Sequence, residues 1–145
     1  MKLGIVGHAE EKFTDKTREI AKQKIRIFVK QVKPNLIISG RSPMGGVDIY
    51  AEEIAKELGI PTRIFEPKQK RWDAPYGYKA RNLDIAKHSD LVLCVVVKEL
   101  PEGFDGMKFN CCYHCLKHSN PPPPHVKSGG CWTAWQCKRQ AWIVV

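Results

Sequence analysis

The chain has 145 residues, a hydrophobic fraction of 43%, a charged fraction of 27% and a formal charge of +9. That length suits one domain over 1–145 that can bury roughly 70% of its unfolded surface. The longest apolar run, Leu91 to Val97, has seven residues where a membrane-spanning helix needs about 20, so no span is expected and the protein is placed in the cytoplasm with no membrane partner.

Residues 2–7 read as a buried first strand ending in Gly7-His8. A helix capped by Thr14 or Asp15 is expected to run to about Val32, with Pro34 closing it. Asn35 to Ser39 is a second short strand leading into the turn Gly40-Arg41-Ser42-Pro43-Met44-Gly45-Gly46. A second helix follows from about Gly46 to Leu58, with Val47, Tyr50, Ala51, Ile54, Ala55 and Leu58 on one stripe and Gly59 as C-cap. Ile60 to Phe65 predicts a third strand. A loop rich in charge and aromatics, 66–78, precedes a helix over about Lys79 to Lys87. Leu91 to Val97, continuous and β-branched, predicts a central strand covered on both faces. Cys131 to Gln140 reads as the last helix and Ala141 to Val145 as the closing strand.

This alternation predicts a Rossmann-like three-layer α/β sandwich, with a mainly parallel sheet of about five strands. Ligands of such sheets bind beyond the carboxyl ends of the strands, at the switch point. Gly7, Gly40 and the loop after Val97 are expected to meet there. Gly40, Gly45 and Gly46 allow close backbone approach to an anion at a helix N-terminus. Ser39 and Ser42 add hydroxyl donors, and Arg41 could fork onto a phosphate. Asp48 falls in the first helical turn, where a carboxylate is also simply favourable. Two more helix starts look suited to anions: Arg81-Asn82 after Tyr76-Gly77-Tyr78, and Ser128-Gly129-Gly130-Cys131-Trp132-Thr133. Trp72 and Tyr76 are candidates for stacking on a base.

Residues 98–130, containing Pro121 to Pro124, predict an irregular insertion that needs an external organiser. Five of the six cysteines fall between Cys111 and Cys137, with three of the five histidines. Cys112-x-x-Cys115 places two thiolates on one tight turn, and His125 with Cys131 completes Cys-x2-Cys-x9-His-x5-Cys. His118 or Cys111 could substitute in the set. A structural zinc is the expected cofactor, ordering the insertion and holding Ser128-Gly129-Gly130 in place. Cys94, inside a strand, reads as a small buried apolar residue.

Four stretches carry a family resemblance: the first strand ending at Gly7; Ser-Gly…Gly-Gly-Val-Asp over 39–48; the helix with Ala51, Ala55 and Gly59-Ile60-Pro61; and Arg81-Asn82 before Ser89-Asp90-Leu91. In these the chain resembles the SLOG superfamily of Rossmann-like nucleotide binders, which includes the Lonely Guy phosphoribohydrolases and the DNA-processing protein A family. The Gly129-Gly130…Thr133 stretch looks like the family's second phosphate loop. The resemblance implies that Gly40, Gly45, Gly46, Arg81, Asn82, Gly129, Gly130 and Thr133 line a nucleotide site, that Asp48 orients the loop or touches a ribose hydroxyl, and that the protein forms homo-oligomers. Lonely Guy enzymes carry Gly-Gly-x-Gly-Thr followed by catalytic glutamates; here Gly130 is followed by Cys131-Trp132-Thr133-Ala134-Trp135-Gln136, without a carboxylate. If there is chemistry, Asp48, Glu52 and Asp84 are the remaining acids or bases. Three readings follow: a nucleotide N-glycosidic hydrolase or transferase, a nucleotide sensor without chemistry, and a single-stranded nucleic-acid binder that the +9 charge would permit.

Overall fold

The computed structural model describes residues 1–108 and 111–145; Phe109 and Asn110, inside the expected insertion, lie outside the described residues. Five strands, β1 (Lys2–Gly7), β2 (Leu36–Ser39), β3 (Thr62–Ile64), β4 (Leu91–Val96) and β5 (Gln140–Val144), form one sheet in the order β3-β2-β1-β4-β5. Every pairing is parallel. The strand sequence reverses between β1 and β4, which is the switch point of a doubly wound sheet.

The two faces are covered by different kinds of core. Leu3 and Ile5 of β1, Ile37 of β2 and Leu91, Leu93 and Val95 of β4 face helices α1 (Asp15–Val32) and α2 (Val47–Leu58). That layer is aliphatic, filled by Ile25, Val29, Val47, Ala51 and Ile54. The alternate residues Val6, Ile38, Val92, Cys94 and Val96 face helix α3 (Tyr78–His88) and the short helix α5 (Gly129–Trp135). This second layer incorporates four further cysteines, at 112, 115, 131 and 137. The sulfur-rich segment is thus built into one face of the fold.

Local signals explain the helix ends. Thr14, rather than Asp15, caps α1: its Oγ1 accepts from the Thr17 N–H at 3.1 Å, and Thr17 Oγ1 reciprocates to the Thr14 N–H at 2.9 Å. Gly59 closes α2 in the left-handed region at φ 69°. The third strand is shorter than its apolar run, because only Thr62–Ile64 find partners on β2. The last helix spans Gly129–Trp135 rather than Cys131 to Gln140, starting and ending earlier than its pattern suggested. Ser128 sets the start, with Oγ accepting from Gly130 N–H at 3.0 Å. The early end leaves Lys138 and Arg139 to turn the chain into β5. Among the described residues of the insertion that precede α5, Tyr113–Leu116 is helical, as the single turn α4. Among the described residues no helix is long and apolar enough to cross a membrane.

Candidate functional site: a switch-point cleft braced by a thiol–imidazole cluster

A cleft of about 230 Å³ opens above the carboxyl ends of β1 and β4. Gly7, Gly45, Asp48, Arg81, Asn82, Gly129, Gly130 and Thr133 all line it, from four separate chain segments. Trp72, Tyr78 and Ile85 form an apolar wall. The remaining residues expected at the site stand behind this surface. Ser39 Oγ donates to the Asp48 carbonyl at 3.1 Å, anchoring α2 to the end of β2. Gly46, at φ 84°, is the N-cap of α2, and a Cβ there would overlap the His8 carbonyl. Gly40 presents its carbonyl to Arg81. Ser128 lines the adjoining pocket instead.

The β2–α2 turn differs from an open anion cradle. Its Ser42 N–H donates to Asp48 Oδ2 at 3.0 Å, Gly45 N–H to the Ser42 carbonyl at 3.1 Å, and Val47 N–H to the His8 carbonyl at 3.1 Å. These donors are spent on shaping the turn and tying it to His8. Arg41 is likewise engaged, with Glu52 Oε1 at 2.8 Å and Glu66 Oε1 at 3.1 Å, outside the cleft. Gly129 and Gly130 sit within α5 rather than in a turn ahead of it, and Arg81-Asn82 lie inside α3, whose N-cap is Gly77.

The charged centre of the cleft is the pair Asp48–Arg81. Both are buried, with Arg81 Nη1 3.8 Å from Asp48 Oδ2. Arg81 Nη1 also donates to the Gly40 carbonyl at 2.6 Å, and Nε to Asn82 Oδ1 at 2.7 Å. Burial pushes the Asp48 carboxyl above its ordinary value against the pull of Arg81. Burial pushes the Arg81 guanidinium below its own, against the pull of Asp48. On each partner desolvation disfavours the charged form more than the other's charge restores it. A buried ion pair with desolvated, perturbed partners that lines a cleft is the electrostatic pattern of a functional site. Of the other acids considered, Asp84 borders a separate pocket and Glu52 pairs with Arg41.

Beneath Gly129 and Gly130 lies the second feature. Cys112, Cys115, His125 and Cys131 are all buried, and their ligand atoms lie within 4.8 Å of one another. His125 Nδ1 donates to the Pro123 carbonyl at 2.7 Å, which leaves Nε2 facing Cys131 Sγ at 3.2 Å and Cys115 Sγ at 3.7 Å. A tetrahedral ion with metal–sulfur bonds of about 2.3 Å separates its ligands by about 3.8 Å, so the four groups need only small shifts to hold a metal. The indole N–H groups of Trp135 and Trp142 donate to Cys115 Sγ at 3.5 Å and Cys131 Sγ at 3.4 Å. Such outer donors orient thiolates and spread their charge. The thiols of Cys115 and Cys131, donating to Cys112, hold it as a thiolate well below the usual thiol range. Their own thiols are driven up by the same bonds to Cys112. All four groups are buried and so closed to water, as a structural metal site requires. His118 stacks on Trp135 with ring centroids 3.6 Å apart, and Cys111 is exposed; neither belongs to the four.

His8 links the two features, and no sequence signal singled it out. Its Nδ1 accepts from the Val97 N–H at 3.1 Å and its Nε2 donates to the Lys127 carbonyl at 3.0 Å. One neutral imidazole thus ties the end of β1 to the end of β4 and to the segment between His125 and α5. Burial lowers its pKa to about 4. Its two partners lie 119 and 89 residues away along the chain, so only folding brings them to the ring.

No family model matches the chain, and no curated protein or solved structure matches it.

Proposed function

We propose that the chain is a nucleotide-binding domain of the SLOG type, taking a nucleoside phosphate in the switch-point cleft, with a structural zinc at Cys112, Cys115, His125 and Cys131. The observation that carries the ligand reading is the buried Asp48–Arg81 pair facing a cleft with an aromatic wall of Trp72 and Tyr78. Phosphate and sugar need a charged, hydrogen-bonding centre; a base needs a flat apolar neighbour. Both are present within one cleft at the position where doubly wound sheets bind ligands.

Three cysteine sulfurs and one imidazole, all buried, suit zinc in a closed structural role. Cys131 is the third residue of α5, directly after the cleft-lining Gly129 and Gly130. The ion would therefore fasten the cleft wall to Cys112 and Cys115 of the insertion. Its binding free energy, on the order of 10 kcal/mol, is enough to order a segment without an aliphatic core of its own.

Binding without chemistry is the primary reading. A second reading, N-glycosidic hydrolysis, is favoured by one observation: Asp48 is a carboxyl group with a raised pKa on the cleft surface, which is what a general acid or base requires. Titration calorimetry of the metal-loaded protein with nucleoside monophosphates tests the binding reading, and free-base release from the same panel tests the second. Tight binding with no base released selects the sensor. Binding only to oligonucleotides, collapsing with salt, would replace both readings.

A further inference from the structure

A second pocket of about 310 Å³ adjoins the cleft and shares Gly7, Ala9 and Gly129 with it. Its own walls are His8, Lys12, Met107, Val126, Lys127 and Ser128. The ridge between the two spaces is low. A Cβ built on Gly129 would meet no atom within 4 Å, so nothing but hydrogen stands over that point. The first space alone is smaller than the roughly 300 Å³ at which ligand pockets ordinarily begin; the two together come within that range.

The chemistry of the two spaces is divided. The cleft carries the aromatic wall and the Asp48–Arg81 pair. The adjoining pocket carries two ammonium groups and no carboxylate among its lining residues. Lys12 lies on the turn after β1 with its side chain only 20% exposed, its Nζ 3.5 Å from Glu11 Oε1 and 4.7 Å from the centre of the Phe104 ring. Lys127 lies over the Tyr113 ring at 5.5 Å. Its backbone carbonyl is fixed by His8, which holds that stretch of chain against the strand ends. Lysine is a compact, movable cation suited to an additional phosphate oxygen.

We propose that the ligand extends over Gly129 into this pocket, so that the physiological ligand is a nucleoside carrying at least two phosphoryl groups, its base side in the cleft and its outer phosphate between Lys12 and Lys127. This rests on the nucleotide reading of the cleft.

The test is calorimetry on the metal-loaded full chain with the 5′-mono- and diphosphates of adenosine, guanosine, cytidine and uridine at fixed salt. For the base that binds, the diphosphate is expected to bind about tenfold more tightly than the monophosphate, the scale of one charge-assisted contact. The double variant Lys12→Gln/Lys127→Gln should abolish that gain while leaving the monophosphate within about twofold. Lys30→Gln, an exposed lysine on α1, should keep the gain and so controls for diffuse charge. Equal affinity for mono- and diphosphates would overturn the extension and leave the cleft reading standing. So would a gain that survives in the double variant. If no nucleotide binds at all, the cleft reading itself fails and the extension with it.

Discussion

Replacing Arg81 by methionine tests the electrostatic account of the cleft directly. Arg81→Met removes the 3.8 Å approach to Asp48 and the 2.6 Å bond to the Gly40 carbonyl, and leaves a buried carboxylate with the Ser42 N–H as its hydrogen bond. Breaking a buried pair by deleting one partner costs about 3–5 kcal/mol, because the other charge is left desolvated. Against a domain stability of about 5–15 kcal/mol this is a large fraction. If the orphaned charge is the cause, neutralising it must help. Asp48→Asn alone orphans the buried Arg81 in its turn and is expected to destabilise as well, whereas Asp48→Asn/Arg81→Met should recover at least half the loss. The pH dependence has a fixed sign. In Arg81→Met the Asp48 pKa, already above 3.8, loses its one opposing charge and rises further. The folded chain then holds a proton the unfolded chain releases, so the deficit is largest above the raised pKa and shrinks as pH falls towards 3.8. Urea denaturation of the four proteins at pH 7, with a pH series on Arg81→Met, measures both effects. A double variant as unstable as Arg81→Met would refute the reasoning, since the loss would then be one of packing.

Three further outcomes follow from the same geometry. The purified protein is expected to contain one zinc per chain by elemental analysis; Cys115→Ser or a strong chelator should remove it and expose 98–130 to proteolysis while the α1–α2 face stays protected. His8, lowered from 6.5 to about 4, contributes stability that is complete above pH 6.5 and is lost as pH falls towards 4. With about 1.4 kcal/mol per pH unit, the loss is about 3 kcal/mol, and a wild-type acid limb no steeper than that of His8→Gln, both saturated with metal, would contradict it. Trp72 is 41% exposed and rests edge-on against Trp132 at 5.0 Å. Trp72→Ala should therefore weaken nucleotide binding by about tenfold, within the 1–3 kcal/mol of a base stack, with little change in unfolding midpoint.

Much of this protein is determined by local chemistry and so was visible in its sequence. The runs Leu3 to Val6 and Leu91 to Val97 had to be covered on both faces, because no polar residue interrupts them, and that requirement implies a parallel sheet between helix layers. Thr14 and Gly59 mark helix ends through bonds made within a few residues. Cys112, Cys115, His125 and Cys131 were recognisable because metal ligands of a tight turn must be close in sequence, and those four gather in space. What the tertiary structure alone decided is where each polar group is spent. The glycine turn at 40–46 resembled an open anion cradle, yet donors at Ser42, Gly45 and Val47 go to Asp48, Ser42 and His8, the last reached only when α2 docks on β1. The cleft's charge sits instead on Asp48 and Arg81, 33 residues apart, joined when α3 crosses the sheet. His8 is the extreme case: an unremarkable residue after β1 whose two ring nitrogens find partners 89 and 119 residues away. Burial sets both the pKa of such groups and the energy of their bonds, and burial is a property of the assembled layers, which no stretch of sequence carries by itself.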